Sequence, residues 1–173
     1  REAIAALFKG EVSPVAAEAK ATVKEWMSED KEYGRDLCIA HIVRVFANYD
    51  DLDLAVAAYA MLDVRVRDTI LFYIVGLEHD DLLRAFDISA LAARLVPDED
   101  AKAVLTTAAI CAWMCGDGAR ANVAVDLALI ADPDYSLALL VHHSLQAGMP
   151  PSHWRLAMQA LSYEDVRVPS HAE

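Results

Sequence analysis

The stretch Gly116-Asp117-Gly118-Ala119-Arg120-Ala121 is the one most like a chemical loop: two glycines flank an aspartate, an arginine follows, and a helical run comes next. A phosphate cradle needs G-x-x-x-x-G-K-[ST] after a strand, and no lysine follows here. A calcium loop needs several oxygen ligands at alternating positions, and Asp117 stands alone. A corner between two helices needs only glycines for the tight turn and an aspartate to cap the second helix, and both are present. The residues favour the corner.

Other groups invite the same weighing. Arg67-Asp68 opens a very apolar run; Asp68 is expected to cap that helix and Arg67 to pair with a carboxylate of a neighbouring one, with ligand contact as its other role. His142 and His143 cannot face the same way on a helix, and neither has a histidine or cysteine four residues on, so one packed and one solvated ring are expected. His153-Trp154-Arg155 reads as a surface aromatic–cation patch for a partner, unless Trp154 fills the last core layer. The candidate binding residues are therefore Arg67, Asp68, His153, Trp154 and Arg155. Cys111 and Cys115 share a helix face without two further ligands, and three cysteines with no framework spacing suit a reducing compartment. Serines 89, 136, 144 and 152 sit at caps or within helical patterns, where hydroxyls bond backbone. Neither Glu78 nor Glu164 has the histidine three residues on that a di-iron bundle requires. No catalytic residue, metal ligand or cofactor site is assigned, and the balance leans away from an enzyme.

The elements that position these residues read as helices. Apolar content is heavy in alanine and leucine, with few β-branched runs. "SPVAAEAKATVKEWMSEDKEYG" reads as one helix, with Ser13 as cap, Pro14 at its first position and Gly34 ending it. "RVRDTILFYIVGLE" is apolar nearly all round from Thr69 to Leu77 and reads as a buried helix. Asp98-Glu99-Asp100 supplies a cap and first turn, and Gly116 closes the helix begun there. Asp132-Pro133 reads as a cap and first position for a helix running to Gly148, and Trp154, Ala157, Met158 and Leu161 give one more short amphipathic helix.

Three strings then align: "DDLDLA" at 50–55, "DDLLRA" at 80–85 and "GDGARA" at 116–121. Ala85, Ala92 and Pro97 match Ala121, Ala128 and Pro133 at fixed spacing, and Ala55 with Leu62 follows the same step. Self-similarity at this period marks stacked helix pairs, with Asp51, Asp81 and Asp117 as N-caps and alanines where helices approach closely.

A length of 173 residues suits one domain, and 56% hydrophobic with 24% charged residues is globular. The net charge is −12, nearly all beyond residue 35, where twenty acidic side chains face nine basic ones. Such a surface repels phosphate backbones, which argues against nucleic acid and anionic lipid and for a basic partner. No apolar stretch reaches membrane-spanning length, and the expected compartment is the cytoplasm. The chain opens on Arg1 with no leader pattern behind it, and reads as a piece of something longer.

"GDGARANVAVDLALIADPDYSLA" resembles the second helix and proline turn of a tetratricopeptide repeat at Ala121, Ala128 and Pro133, although Leu105, Ala108, Ala109 and Ala112 stand where that repeat carries Trp-Leu-Gly-Tyr. A closer resemblance is to the actinobacterial domain-of-unknown-function family 4192. "LDVRVRD" (62–68), "AWMCGDGARANVAVDLALIADPDYSLALL" (112–140) and "AGMPPSHWR" (147–155) carry it, over roughly residues 36–160. That resemblance implies longer relatives with a further region ahead, and no established activity.

The reading is an all-α fold: antiparallel helix pairs in a short right-handed tetratricopeptide-like solenoid, with an N-terminal helical cap at 1–35, the repeat domain at 36–162 and a polar tail at 163–173. It implies a non-catalytic interaction or scaffolding domain that binds protein or peptide, with self-association left open. The alternative is an accessory or substrate-binding domain of an enzyme whose active region lies ahead of Arg1.

Overall fold

"KAVLTTAAICAWM" bears no charge after Lys102, so nothing on its circumference resists burial. It forms the central helix α7 (Lys102–Met114), and every residue from Ala103 to Met114 is buried. The computed structural model describes residues 1–167, and among them helices are joined by turns with no strand. Ahead of α7 come α1 (Glu2–Ala5), α2 (Val15–Trp26), α3 (Lys31–Val45), α4 (Asp51–Ala60), α5 (Val64–Ile74) and α6 (His79–Ala93). After it come α8 (Gly118–Ala131), α9 (Ser136–Gln146), α10 (Pro151–Gln159) and α11 (Tyr163–Arg167). The helix α11 opens the segment expected as a polar tail, whose residues 168–173 lie outside the described ones.

The central helix packs on α6 and α8 along its length, and α2 packs closely on α4. The alanines expected at close approaches sit there: Ala55, Ala121 and Ala128 are fully buried, and Ala85 and Ala92 nearly so. The N-terminal segment crosses the fold, with α1 against α8 and Phe8 edge-on to Phe86 of α6 at 5.8 Å.

The helix ends show where the sequence reading holds and where it shifts. Gly116 has φ +81, and the N–H groups of Asp117 and Gly116 donate back to the carbonyls of Ala112 and Trp113. Gly148, φ +63, ends α9 in the same way. Asp117 caps α8 as expected, accepting from the Arg120 N–H at 2.9 Å. The other caps are neighbours of the expected residues. Asp50, in a reciprocal box with Asp53, caps α4 in place of Asp51. Glu78, not Asp81, holds the N-cap position of α6, without a side-chain bond. Asp98–Asp100 forms a separate 3-10 turn, and α7 starts after it on Ala101. Asp132 closes α8 rather than opening α9, because its side chain accepts from the Asp134 N–H and organises the Asp-Pro turn.

Gly34 does not end a helix. The expected single run is two helices, broken at Met27–Asp30, where Asp30 accepts from the N–H groups of Glu32 and Tyr33 and starts α3 afresh. Gly34 is buried in the first turns of α3, pressed on the last turn of α2.

Candidate functional site

The segment "LDVRVRD" becomes a set of fasteners at the start of α5. Asp63 caps the helix, accepting from the Arg65 and Val66 N–H groups at 3.0 and 3.2 Å. The same carboxylate takes the Arg35 guanidinium of α3 in a two-pronged grip, Nε to Oδ1 at 3.0 Å and Nη2 to Oδ2 at 3.1 Å. Burial pushes the Asp63 carboxyl up, but the Arg35 hydrogen bonds and charge and the two N–H donors outweigh it, holding it below the ordinary value. Asp68, expected as the cap, lies inside the helix instead.

A depressed carboxyl gives a signed pH dependence. The stabilisation from Asp63 is complete above about pH 4, the unfolded value, and is lost as pH falls through the lower folded one. Urea midpoints should therefore fall from about pH 5 to about pH 2 more steeply in the native protein than in Asp63→Asn. That variant keeps a capping oxygen and has no charge to lose. Equal slopes would show that the Arg35 contact contributes nothing.

Arg67 is 7% exposed and does not reach a carboxylate of a neighbouring helix, as expected of it. Its Nε donates to its own neighbour Asp68 at 2.8 Å, and its Nη1 to the Tyr135 hydroxyl at 2.8 Å. Burial alone would lower its pKa; Tyr135 and Asp68 together raise it. The Tyr135 ring has the Arg67 guanidinium and the Lys102 ammonium each 5.6 Å from its centre, and Lys102 donates to Asp132 at 2.6 Å. The turn after α8 is thereby clamped to α5 and α7. Arg67, Asp68, Tyr135, Lys102 and Asp132 are thus joined in one network.

The second predicted group is on α10, against the other end of α5. Arg155 donates to the carbonyl of Val75, the C-cap of α5, at 3.3 Å, whereas Arg67 lies in its first turns. Trp154 is half-buried against Trp113, ring centres 6.2 Å apart, and the Trp113 indole donates to the Met149 carbonyl at 3.2 Å. His153 is exposed on the first turn of α10. Arg67 and Asp68 are thus not brought together with His153, Trp154 and Arg155. His142 is half-buried, its Nδ1 3.7 Å from an Asp126 oxygen, and His143 is exposed, as the sequence indicated. Burial pushes the Cys38 thiol up to about 12 and the buried Cys111 thiol up as well. Among the described residues no three acidic, histidine or cysteine side chains gather to hold a metal.

One feature with room for a ligand is a groove of about 500 Å³ between α3 and α5. Val43 and Phe46 form one wall, and Ile70, Tyr73, Ile74 and Leu77 the other. Tyr73 is 48% exposed and Val43 55%, so α5 is not buried all round as expected. Asp81 closes one end, with Glu78 and Asp80 also exposed at the start of α6. Neither predicted group lines the groove. A signal for it did exist: Thr69 to Leu77 holds more apolar surface than a helix of this length can hide unless partners surround it, and one side was left without a partner.

The profile of a domain of unknown function, DUF4192, matches residues 1–152. The chain belongs to that family. The DUF4192 match takes in α1 and α2 and stops at the start of α10, so α11 lies beyond it. Neither the curated proteins nor the solved structures contain a match to this chain. No described helix is long and apolar enough to cross a membrane.

Proposed function

We propose that this DUF4192 chain is a helical protein-interaction domain whose docking surface is the groove between α3 and α5. The observation that carries this is the groove itself: an open, apolar trough with an aromatic side chain and a valine half out of contact, on a protein otherwise rich in charge. A net charge of −12 and the acidic end at Glu78, Asp80 and Asp81 make a basic partner the complementary one. The finer architecture proposed is a short right-handed tetratricopeptide-like stack in the cytoplasm. Its support is the alternation by which α2 packs on α4 and α4 on α6, while α3 packs on α5. The alternative, a substrate-binding accessory to an enzyme, asks for a deep pocket into which Arg67 converges. Arg67 is instead committed to Tyr135 and Asp68, which favours the interaction reading.

A photo-crosslinking residue at position 73, with a control at exposed Glu18 of α2, tests it in cell extract. A protein segment should be captured from 73 and not from 18. A synthetic peptide of that segment should then bind the purified chain and lose about tenfold or more in affinity with Val43→Glu, which places a charge in the apolar contact. Equal capture from both positions, or a peptide indifferent to Val43→Glu, overturns the reading.

A further inference from the structure

The groove does not stop at Tyr73. On the far side of that ring a second trough of about 370 Å³ runs between the end of α5 and α10, lined by Phe72, Tyr73, Val75, Met158 and Leu161. Over this part of α5 sits α11. Its main packing partner is α5, and its Tyr163 ring lies 6.5 Å from Phe72 and 6.2 Å from Tyr73, centre to centre. Burial and the Tyr163 hydroxyl raise the Tyr73 phenol, so the two rings share one partly dried surface.

A helix of five residues has too few internal hydrogen bonds to persist alone and holds its form through what it packs on. Three residues, 160–162, join it to α10. The DUF4192 match, residues 1–152, takes in α3 and α5, which build the first trough, and does not reach α11.

We propose that α11 is a built-in occupant of this docking surface, a strap that a basic amphipathic helix with an aromatic anchor displaces. This rests on the reading of the groove as the docking surface. The partner's anchor is inferred from Tyr163, which already shows how an aromatic side chain seats between Phe72 and Tyr73. Its basic flank answers Asp81 at the groove's other end and Glu78 and Asp80 beside it. Tyr73 lines both troughs, so one helix laid across it contacts each. The strap lowers apparent affinity by the fraction of molecules in which it is seated, so release from nine-tenths occupancy tightens binding about tenfold.

The probe is a fluorescent lysine-rich amphipathic peptide of about 16 residues with one central tryptophan on its apolar face, read by anisotropy against the full chain. A glutamate-for-lysine version is the control. Tyr163→Asp should tighten binding of the basic peptide about tenfold with an unchanged melting temperature, since α11 is peripheral to the core. Val43→Glu should weaken binding in both backgrounds, and adding the basic peptide should speed amide hydrogen exchange at 163–167. Equal affinity for the native chain and Tyr163→Asp, with exchange at 163–167 unmoved, sinks the strap and leaves the groove standing. Indifference to Val43→Glu sinks the groove reading as well. Binding of the glutamate version as tightly as the lysine version overturns the basic partner.

Discussion

Gly34→Ala is expected to destabilise the protein by about 1–3 kcal/mol, although alanine is the better helix former by about 1 kcal/mol. A Cβ built on Gly34 would lie 2.3 Å from the Trp26 carbonyl oxygen, 2.7 Å from its carbon and 2.9 Å from the Met27 Cα. All three are backbone atoms at the end of α2, so no side chain can swing aside and two helices must separate. Helix propensity and overpacking thus predict opposite signs, and a urea titration decides between them. A melting temperature lowered by several degrees is the thermal equivalent for a chain of this size. Gly118→Ala is the control. A Cβ there meets nothing within 4 Å, and the position opens α8, so the change should be neutral or slightly stabilising. A gain at Gly34 would mean that α2 and α3 do not approach as closely as described.

The same glycine shows what the sequence can and cannot disclose. Propensity and apolar spacing were enough for an all-helical chain, for the glycine stops at Gly116 and Gly148, and for the buried alanines at 55, 121 and 128. These depend on neighbours within a helix or on a repeat of it. Gly34 looked like one more stop because a glycine needed for a close approach and a glycine needed for a turn are the same letter. The local sign against a stop was Asp30 three residues after Met27, an N-cap inside the assumed helix. The cap expected at Asp51 slipped by one residue to Asp50, because adjacent aspartates compete and only backbone geometry chooses between them.

The groove was harder to read for a different reason. Arg67 drew attention as a charge beside an apolar run, yet its partner Tyr135 is 68 residues away and nothing local pairs them. Tyr73 drew none, because a tyrosine in an apolar helix reads as core. Which side of α5 stays open depends on where α3 and α6 come to rest, and that is a property of the packed chain. Arg67, which looked chemical in the sequence, ties α5 to the turn after α8 through Tyr135, while Asp63 and Trp113, which were not candidate site residues, tie other elements together. The groove between α3 and α5 is lined mainly by apolar residues, with Asp81 at one end.

How much the fastening depends on its centre can be measured at Ile110. Ile110→Ala should cost about 2–5 kcal/mol, enough to take a large part of a domain's total stability. Ile110 is fully buried, near the middle of a helix that packs on α6 and α8 along its whole length. Its neighbours along the helix, Ala108, Ala109 and Ala112, are themselves short and close to other helices, so they have no reach to fill the space. The helix propensity gained by alanine returns only a few tenths of a kcal/mol. Ile130→Ala makes the same chemical change on α8, where the side chain is 76% exposed, and should fall within about 0.5 kcal/mol of the native protein. The difference between the two isolates burial from side-chain identity. If both variants melt alike, α7 is not a packed centre.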